Sequence, residues 1–404
     1  MNIVVHDEAC DSAPVVEVPA KIMVIGVGGC GTNVVNQMIA SGLDGVDFIT
    51  INTDIQDLFQ KSKARTKVQI GKKLTGGRGA GGNPEKGEKA ANEDFETLRE
   101  HVKYADMVVI TAGMGGGTGT GAAPVIAKAA REEGALTVAV VTKPFGFEGP
   151  YKMTLADEGI RKLRESVDTL IVISNQRLLE KAGQKTSLIE AYKMADDVLC
   201  QGVRGISDLL IRPGFQNVDF ADMEATMKDQ GDALMGIGVA SGENRSLSAA
   251  QQAIENPLLD EIAINGATHI LVSVAANKSL TLLEVSEVVG AVSVNADPNV
   301  LIISGVILDE ELEDDLRVMV IATGFKGTRP VQNPAGESVK PKEKDFIGIN
   351  EWQRMKDGGA VKPADFLLRR GGIYSDDDLD VPAVMRNRAK NPPSDSGLSS
   401  AEGQ

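Results

Sequence analysis

Cysteine, histidine, tryptophan and long apolar runs are what this 404-residue chain has least of. Its three cysteines, Cys10, Cys30 and Cys200, show no metal-ligand spacing and no disulfide framework, which fits a reducing cytoplasm. His6, His101 and His269 are scattered and suggest no shared metal site. No apolar stretch approaches the ~18 residues needed to cross a bilayer. The first eight residues lack the basic start and apolar core of a secretory signal, so neither a membrane anchor nor export is expected. Positive charge is also short: 42 Lys and Arg stand against 57 Asp and Glu, a net charge of −15. Such a balance disfavours nonspecific nucleic-acid binding. Residues 331–404 carry only −1 of it, which leaves −14 on residues 1–330. A body that acidic can hold a phosphate only through backbone amides, hydroxyls and a metal ion.

Glycine, by contrast, is abundant and clustered. Gly113-Met114-Gly115-Gly116-Gly117-Thr118-Gly119-Thr120-Gly121 follows the apolar run 107–110, a buried strand. A helix is expected over 122–133 with Pro124 in its first turn. A glycine loop between strand end and helix start frees N–H groups to converge on one anion. A second junction of this kind is Gly26-Val27-Gly28-Gly29-Cys30-Gly31, between a strand at 21–27 and a helix at 32–41. It fits G-x-G-x-x-G but not the P-loop, because Thr32 stands where the lysine belongs. Asp54 lies about 20 residues further on, where a dinucleotide fold places its ribose carboxylate. A Rossmann-type, NAD-dependent oxidoreductase is therefore the rival reading. The third glycine-rich segment, 71–82, has equally the composition of a mobile surface loop, and Pro84 then opens a polar helix to about His101.

Strands at 46–52, 107–112, 136–141 and 169–174 alternate with helices, which predicts a doubly wound parallel α/β sheet over 20–186. Its ligand belongs at the carboxyl ends of the strands, where both glycine loops and Glu148 fall. A long helix over 187–212 opens with the capping box Ser187-x-x-Glu190 and stops at Pro213. Beyond it, Asn217, Asp219 and Asp222 gather on one turn before the next helix. Helix capping accounts for them, and so does a water-orienting site. Residues 213–326 read as an α+β domain with a mixed sheet and helices mainly on one face. A flexible arm is expected at 1–19, a disordered linker at 327–377 containing the single Trp352, and a tail at 391–404. Between linker and tail, 378–390 has an acidic start, apolar Leu379, Val381, Val384 and Met385, and a basic end, the pattern of a partner-binding peptide.

Taken together, GGGTGTG at 115–121, the loop at 26–33, VVTKPFGFEG at 140–149, NVDFAD at 217–222 and LDVPAVMRNR near the end resemble the tubulin/FtsZ family. The resemblance covers about 20–325 and resumes at about 378–390. It implies a tubulin-like fold and GTP/GDP with Mg²⁺ rather than NAD. Gly29, Cys30, Gly31, Thr32 and Asn33, with Gly115, Gly116, Gly117, Thr118 and Gly119, would line the nucleotide phosphates. Glu148 and Lys152 would contact the nucleotide near the ribose, and Asp197 with Asp196 would read the guanine edge. The family often has arginine where this chain has Lys152 and asparagine where it has Asp196. Asn217, Asp219 and Asp222 would act on the nucleotide of a neighbouring subunit in a head-to-tail homopolymer. The resemblance further implies a GTPase of the bacterial septal ring at mid-cell, tethered by adaptor proteins through 378–390.

Overall fold

The computed structural model describes residues 20–181, 186–212, 218–256, 266–294 and 296–325. The expected arm, linker, terminal peptide and tail, and Asn217 with them, lie outside those residues. In chain order the elements are β1 (Ile22–Val27), α1 (Gly28–Ala40), β2 (Asp47–Asn52), β3 (Thr66–Gln69), α2 (Lys72–Thr75), α3 (Pro84–Glu93), α4 (Phe95–Val102), β4 (Met107–Gly113), α5 (Thr118–Glu132), β5 (Leu136–Lys143), α6 (Pro150–Arg164), β6 (Thr169–Ser174) and α7 (Asn175–Lys181). Then come α8 (Leu188–Ile211), α9 (Phe220–Met227), β7 (Gly231–Ala240), α10 (Arg245–Ile254), β8 (His269–Ala276), α11 (Leu282–Val294), β9 (Leu301–Leu308) and β10 (Leu316–Thr323).

Among the described residues, ten strands form one sheet in the order β3-β2-β1-β4-β5-β6-β7-β10-β8-β9. From β3 to β7 all pairs are parallel, as the alternation of strands and helices predicts. β7 belongs to both halves. Gly231, Asp232 and Ala233 pair with β6, and from Leu234 onward the strand pairs antiparallel with β10. β10 is antiparallel to β8, and β8 is parallel to β9, so the second half is the expected mixed sheet.

Apolar side chains alternate to opposite faces along each strand, and each face is covered. Ile25, Ile110, Val141 and their neighbours pack against α3–α6 on one face. Val24, Val109 and Val140 pack on the other with Met38 of α1 and Leu199, Val203 and Ile206 of α8. That second core continues through Met319 and Ile321, so α8 is bedded against both halves of the sheet. The outer face of the second half is closed by Ala249, Ala250 and Ala253 of α10 and by Val288 and Val292 of α11.

Three local expectations change. α5 begins at Thr118, so Pro124 lies in its second turn and not its first. Gly119 and Gly121 are helical residues at close approaches: a Cβ on Gly121 would fall 2.0 Å from the Pro84 carbonyl oxygen of α3, and one on Gly119 would fall 2.7 Å from the Gly113 carbonyl oxygen of β4. The polar helix expected from Pro84 to about His101 breaks into α3 and α4 at Asp94, whose carboxylate accepts from the Gly71 N–H at 2.7 Å. Glu93 accepts from the Lys73 and Leu74 N–H groups. These bonds hold the segment 71–75, so the third glycine-rich stretch contains α2 and is not a free loop. The capping box on α8 is present as expected, with Ser187 N–H donating to Glu190 at 2.7 Å and Glu190 N–H to Ser187 Oγ at 3.3 Å.

Candidate functional site: a phosphate cradle at the strand ends

β1 and β4 are neighbours whose outgoing helices cover opposite faces, which makes the crevice between their carboxyl ends the topological switch point. Both glycine junctions open there. β1 passes directly into α1 at Gly28, which has φ +72° and packs so closely that an added Cβ would sit 3.1 Å from the Gly119 nitrogen. β4 ends at Gly113. Gly115 then turns the chain with φ +94°, and its N–H donates to Thr120 Oγ1 at 2.9 Å. Two helix N-termini, α1 and α5, therefore face one crevice lined largely by glycine backbone. Thr53 and Thr118 share a 2.6 Å hydroxyl contact at its edge.

The crevice opens into a cavity of about 410 Å³, ample for a nucleotide-sized ligand. Of the site residues named from the sequence and the resemblance, Gly29, Cys30, Asn33, Gly115 to Gly119, Glu148, Lys152 and Asp196 line it. The structure places three expected residues otherwise. Gly31 and Thr32 lie behind the cavity wall, with the buried Thr32 hydroxyl donating to the Gly28 carbonyl at 2.9 Å. Asp197 turns away and accepts a hydrogen bond from Gln37 Nε2. Consecutive residues on α8 point about 100° apart, so Asp196 faces the cavity and Asp197 does not.

Glu148 is nearly buried, accepts from the Phe145 N–H at 3.0 Å and holds the Lys152 ammonium at 3.0 Å. Phe145 stacks on Phe147 and meets the ring of Tyr192 edge-on, and of the three Tyr192 lines the cavity. Burial and the neighbouring Asp197 push the Asp196 carboxyl up to about 6. Burial, with Asp196 close by, raises the Cys30 thiol to about 12, so it stays protonated and donates to Asp196 at 3.9 Å.

Met114, Thr142, Asn175 and Tyr192 also line the cavity and were not anticipated. Asn175 stands out among them. It follows β6, is almost fully buried, and its Oδ1 accepts from nothing among the described residues. A buried acceptor left open in a cavity fits a ligand that donates. The signal available in the sequence was its place directly after a parallel strand.

Asp54 does not act as a ribose acceptor here. Its Oδ1 takes the N–H groups of Gln56 and Asp57 in a local turn outside this cavity. Asp219 caps α9, accepting from the Asp222 N–H at 2.7 Å. Both aspartates are exposed, and neither lines the cavity. No group of three or more His, Cys, Asp or Glu is placed to hold a metal among the described residues. Phosphate oxygens and water would therefore supply most ligands of a magnesium ion, the coordination that ion favours.

Residues 21–183 match the description "Tubulin/FtsZ family, GTPase domain", and residues 231–326 match "FtsZ family, C-terminal domain". FtsZ of M. jannaschii, solved as an empty dimer, is 46% identical with a TM-score of 0.73 over 76% of this chain and 89% of that one. This chain belongs to the tubulin/FtsZ family. The cell division protein FtsZ of Caulobacter vibrioides is 53% identical over 322 residues, which cover 80% of this chain and 63% of that protein. The matched region thus spans less than two thirds of that relative. CetZ2 of Haloferax volcanii, solved as a GTPγS-bound protofilament, shares the fold at 21% identity, with a TM-score of 0.65 over 76% of this chain and 94% of that one. The tubulin/FtsZ fold accounts for the crevice between β1 and β4, for the long α8 and for the mixed second half, and it displaces the dinucleotide reading.

Proposed function

We propose that this chain is a GTPase of bacterial cell division that assembles head to tail into filaments and hydrolyses GTP to GDP and phosphate at the contact between subunits. The observation that carries this is the separation of the two halves of the chemistry. The cradle and cavity receive Tyr192, Ala195 and Asp196 from the first turns of α8. The acidic turn with Asp219 and Asp222 follows the far end of α8, and Asp196 to Ile211 alone spans roughly 22 Å of helix. A subunit built this way offers a nucleotide at one end and carboxylates at the other, and a heterologous contact that joins unlike ends propagates as a filament.

In this reading the N–H groups of Gly29 and Cys30 and of Gly115 to Gly119, with the Asn33 side chain, hold the phosphates. Magnesium, when bound, spreads the charge that builds up on them. The incoming Asp219 and Asp222, with Asn217, orient the attacking water. GDP then leaves a weaker contact. The segment 378–390 docks on adaptor or tether proteins that bring the filament to the membrane at mid-cell. No described helix is long and apolar enough to cross a membrane by itself. Phosphate release measured against protein concentration tests the shared site. Turnover per subunit should be near zero below a threshold and rise above it. Release strictly proportional to protein from the lowest concentrations contradicts it.

Asp196 supplies a pH test of the base assignment. A carboxylate accepts from both the N1–H and the amino group of guanine only when ionised. The Asp196 carboxyl titrates near 6, where it faces Cys30, with Asp197 beside it on α8 and Glu148 and Lys152 also in the cavity lining. Guanine must then displace a proton at low pH, whereas above the titration none is displaced. GTP affinity should be flat above about pH 7 and fall by up to about tenfold per pH unit below 6. Calorimetry between pH 5 and 8 reads this directly, and Asp196→Asn should flatten the curve. An unchanged slope in that variant removes Asp196 from base recognition.

A further inference from the structure

The glycine segment after α2 leaves a cation beside the phosphate cradle that the reading above does not use. Arg78 is bridged to Asp54 at the end of β2 in antiparallel fashion. On either side, Ile55 N–H donates to the Gly77 carbonyl at 3.0 Å and Gly79 N–H to the Thr53 carbonyl at 3.3 Å. This fixed base puts Arg78 in the wall of a second cavity, about 480 Å³ in volume, which meets the nucleotide cavity at Gly29, Gly117 and Thr118. Asp196 and Asn175 lie in the first cavity only. A nucleotide with its base there and its phosphates on Gly115 to Gly119 points its last phosphate at the shared residues.

The other charges of the second cavity are engaged. Lys61 is held by Asp57 at 2.6 Å, and Asp57 also accepts from Asn52 at 2.9 Å. Asp54 is taken up by the turn that follows it. The Arg78 guanidinium has no ion-pair partner among the described residues. An unpaired guanidinium in an otherwise acidic body, lining the space where a terminal phosphate ends, is matched to that group by charge and by its forked donors.

We propose that Arg78 contacts the terminal phosphate of the bound nucleoside triphosphate and so separates triphosphate from diphosphate. The proposal rests on the nucleotide reading given above. It gives the segment 71–82 a role: α2 and its bonds to Glu93 and Asp94 hold the arch that presents Arg78.

Equilibrium binding of GTPγS and of GDP to the full chain, below the assembly threshold, tests it within single subunits. Arg78→Ala should weaken GTPγS by about ten- to a hundredfold, the range for a charged hydrogen-bond partner. GDP affinity should stay within about twofold, which also reports an intact fold. Arg78→Lys should recover part of the loss, as a point charge without the fork. An alanine variant with the wild-type ratio of GTPγS to GDP affinity overturns the proposal, even if its assembly is impaired, because Arg78 then serves a subunit contact. Wild-type protein that binds neither nucleotide rejects the underlying nucleotide reading as well. Wild-type binding of both with an unchanged ratio in the variant rejects Arg78 alone.

Discussion

Asp222→Ala should lower GTP turnover by about 10²–10⁴-fold, the usual span for a positioned acid–base group, and leave GTP affinity as it was. Asp222 is exposed on the first turn of α9, and its carboxylate has no partner among the described residues, so no internal bond is lost with it. Its contribution to stability should fall within the ±0.5 kcal/mol typical of surface changes. Asp219 is a less clean probe, because its carboxylate caps the helix and its removal costs about 1 kcal/mol on that ground alone. Phosphate release, nucleotide binding and thermal melting on one preparation separate these effects. Full turnover in the Asp222→Ala protein would remove Asp222 from the catalytic role proposed for it.

Asp309→Ala should destabilise the fold by about 3–5 kcal/mol, the loss expected when one partner of a buried ion network is removed. Asp309 follows β9, is 4% exposed, and meets Arg212 at 3.3 Å, Arg317 at 3.4 Å and Arg204 at 4.0 Å. The buried Asp208 holds Arg204 at 3.3 Å and Arg212 at 3.1 Å from within α8. Burial and the neighbouring Arg204 already depress the Arg317 guanidinium, and burial raises the Asp208 carboxyl despite the arginines around it. Without Asp309, three guanidinium groups share Asp208 and the exposed Glu311. Because the network ties the end of α8 to the β9–β10 corner, the loss should register as a lower urea midpoint with unchanged slope. A change under about 1 kcal/mol would mean that Glu311 and water replace Asp309 at little cost, contrary to the burial argument.

What the sequence made legible is what local chemistry encodes. The capping box at Ser187 and Glu190, the two glycine junctions and the apolar strands need no distant partner to be recognised. The start of α5 was misplaced because Gly119 and Gly121 look like loop residues until β4 and α3 are packed against them. β3 was missed because it is four residues long and pairs only with β2. The break at Asp94 is made by Gly71, 23 positions upstream. In the candidate site, the glycines and Glu148 were readable from motif and strand-end position, whereas Lys152 came only from the family resemblance. Which of Asp196 and Asp197 faces the cavity depends on the rotation of α8, which Gln37 on α1 helps to set. Asn175 and Arg78 carry no motif and gain meaning only from what surrounds them. Arg204, Asp208 and Arg212 have the four-residue spacing of an exposed helix face, and the carboxylate that buries them lies about a hundred residues away in Asp309.

Mixing two inactive variants tests most directly whether the hydrolytic centre is divided between subunits. Asp222→Ala keeps the cradle and lacks the carboxylate. A variant designed not to hold nucleotide, Gly28→Val, keeps the acidic turn; the position has φ +72°, and an added Cβ would sit 3.1 Å from the Gly119 nitrogen. Each should be inactive alone. Mixed in equal amounts they should regain about a quarter of wild-type turnover, the fraction of random head-to-tail contacts that join an intact cradle to an intact turn. Mixtures that stay inactive while the two variants co-assemble would contradict a centre shared between neighbours.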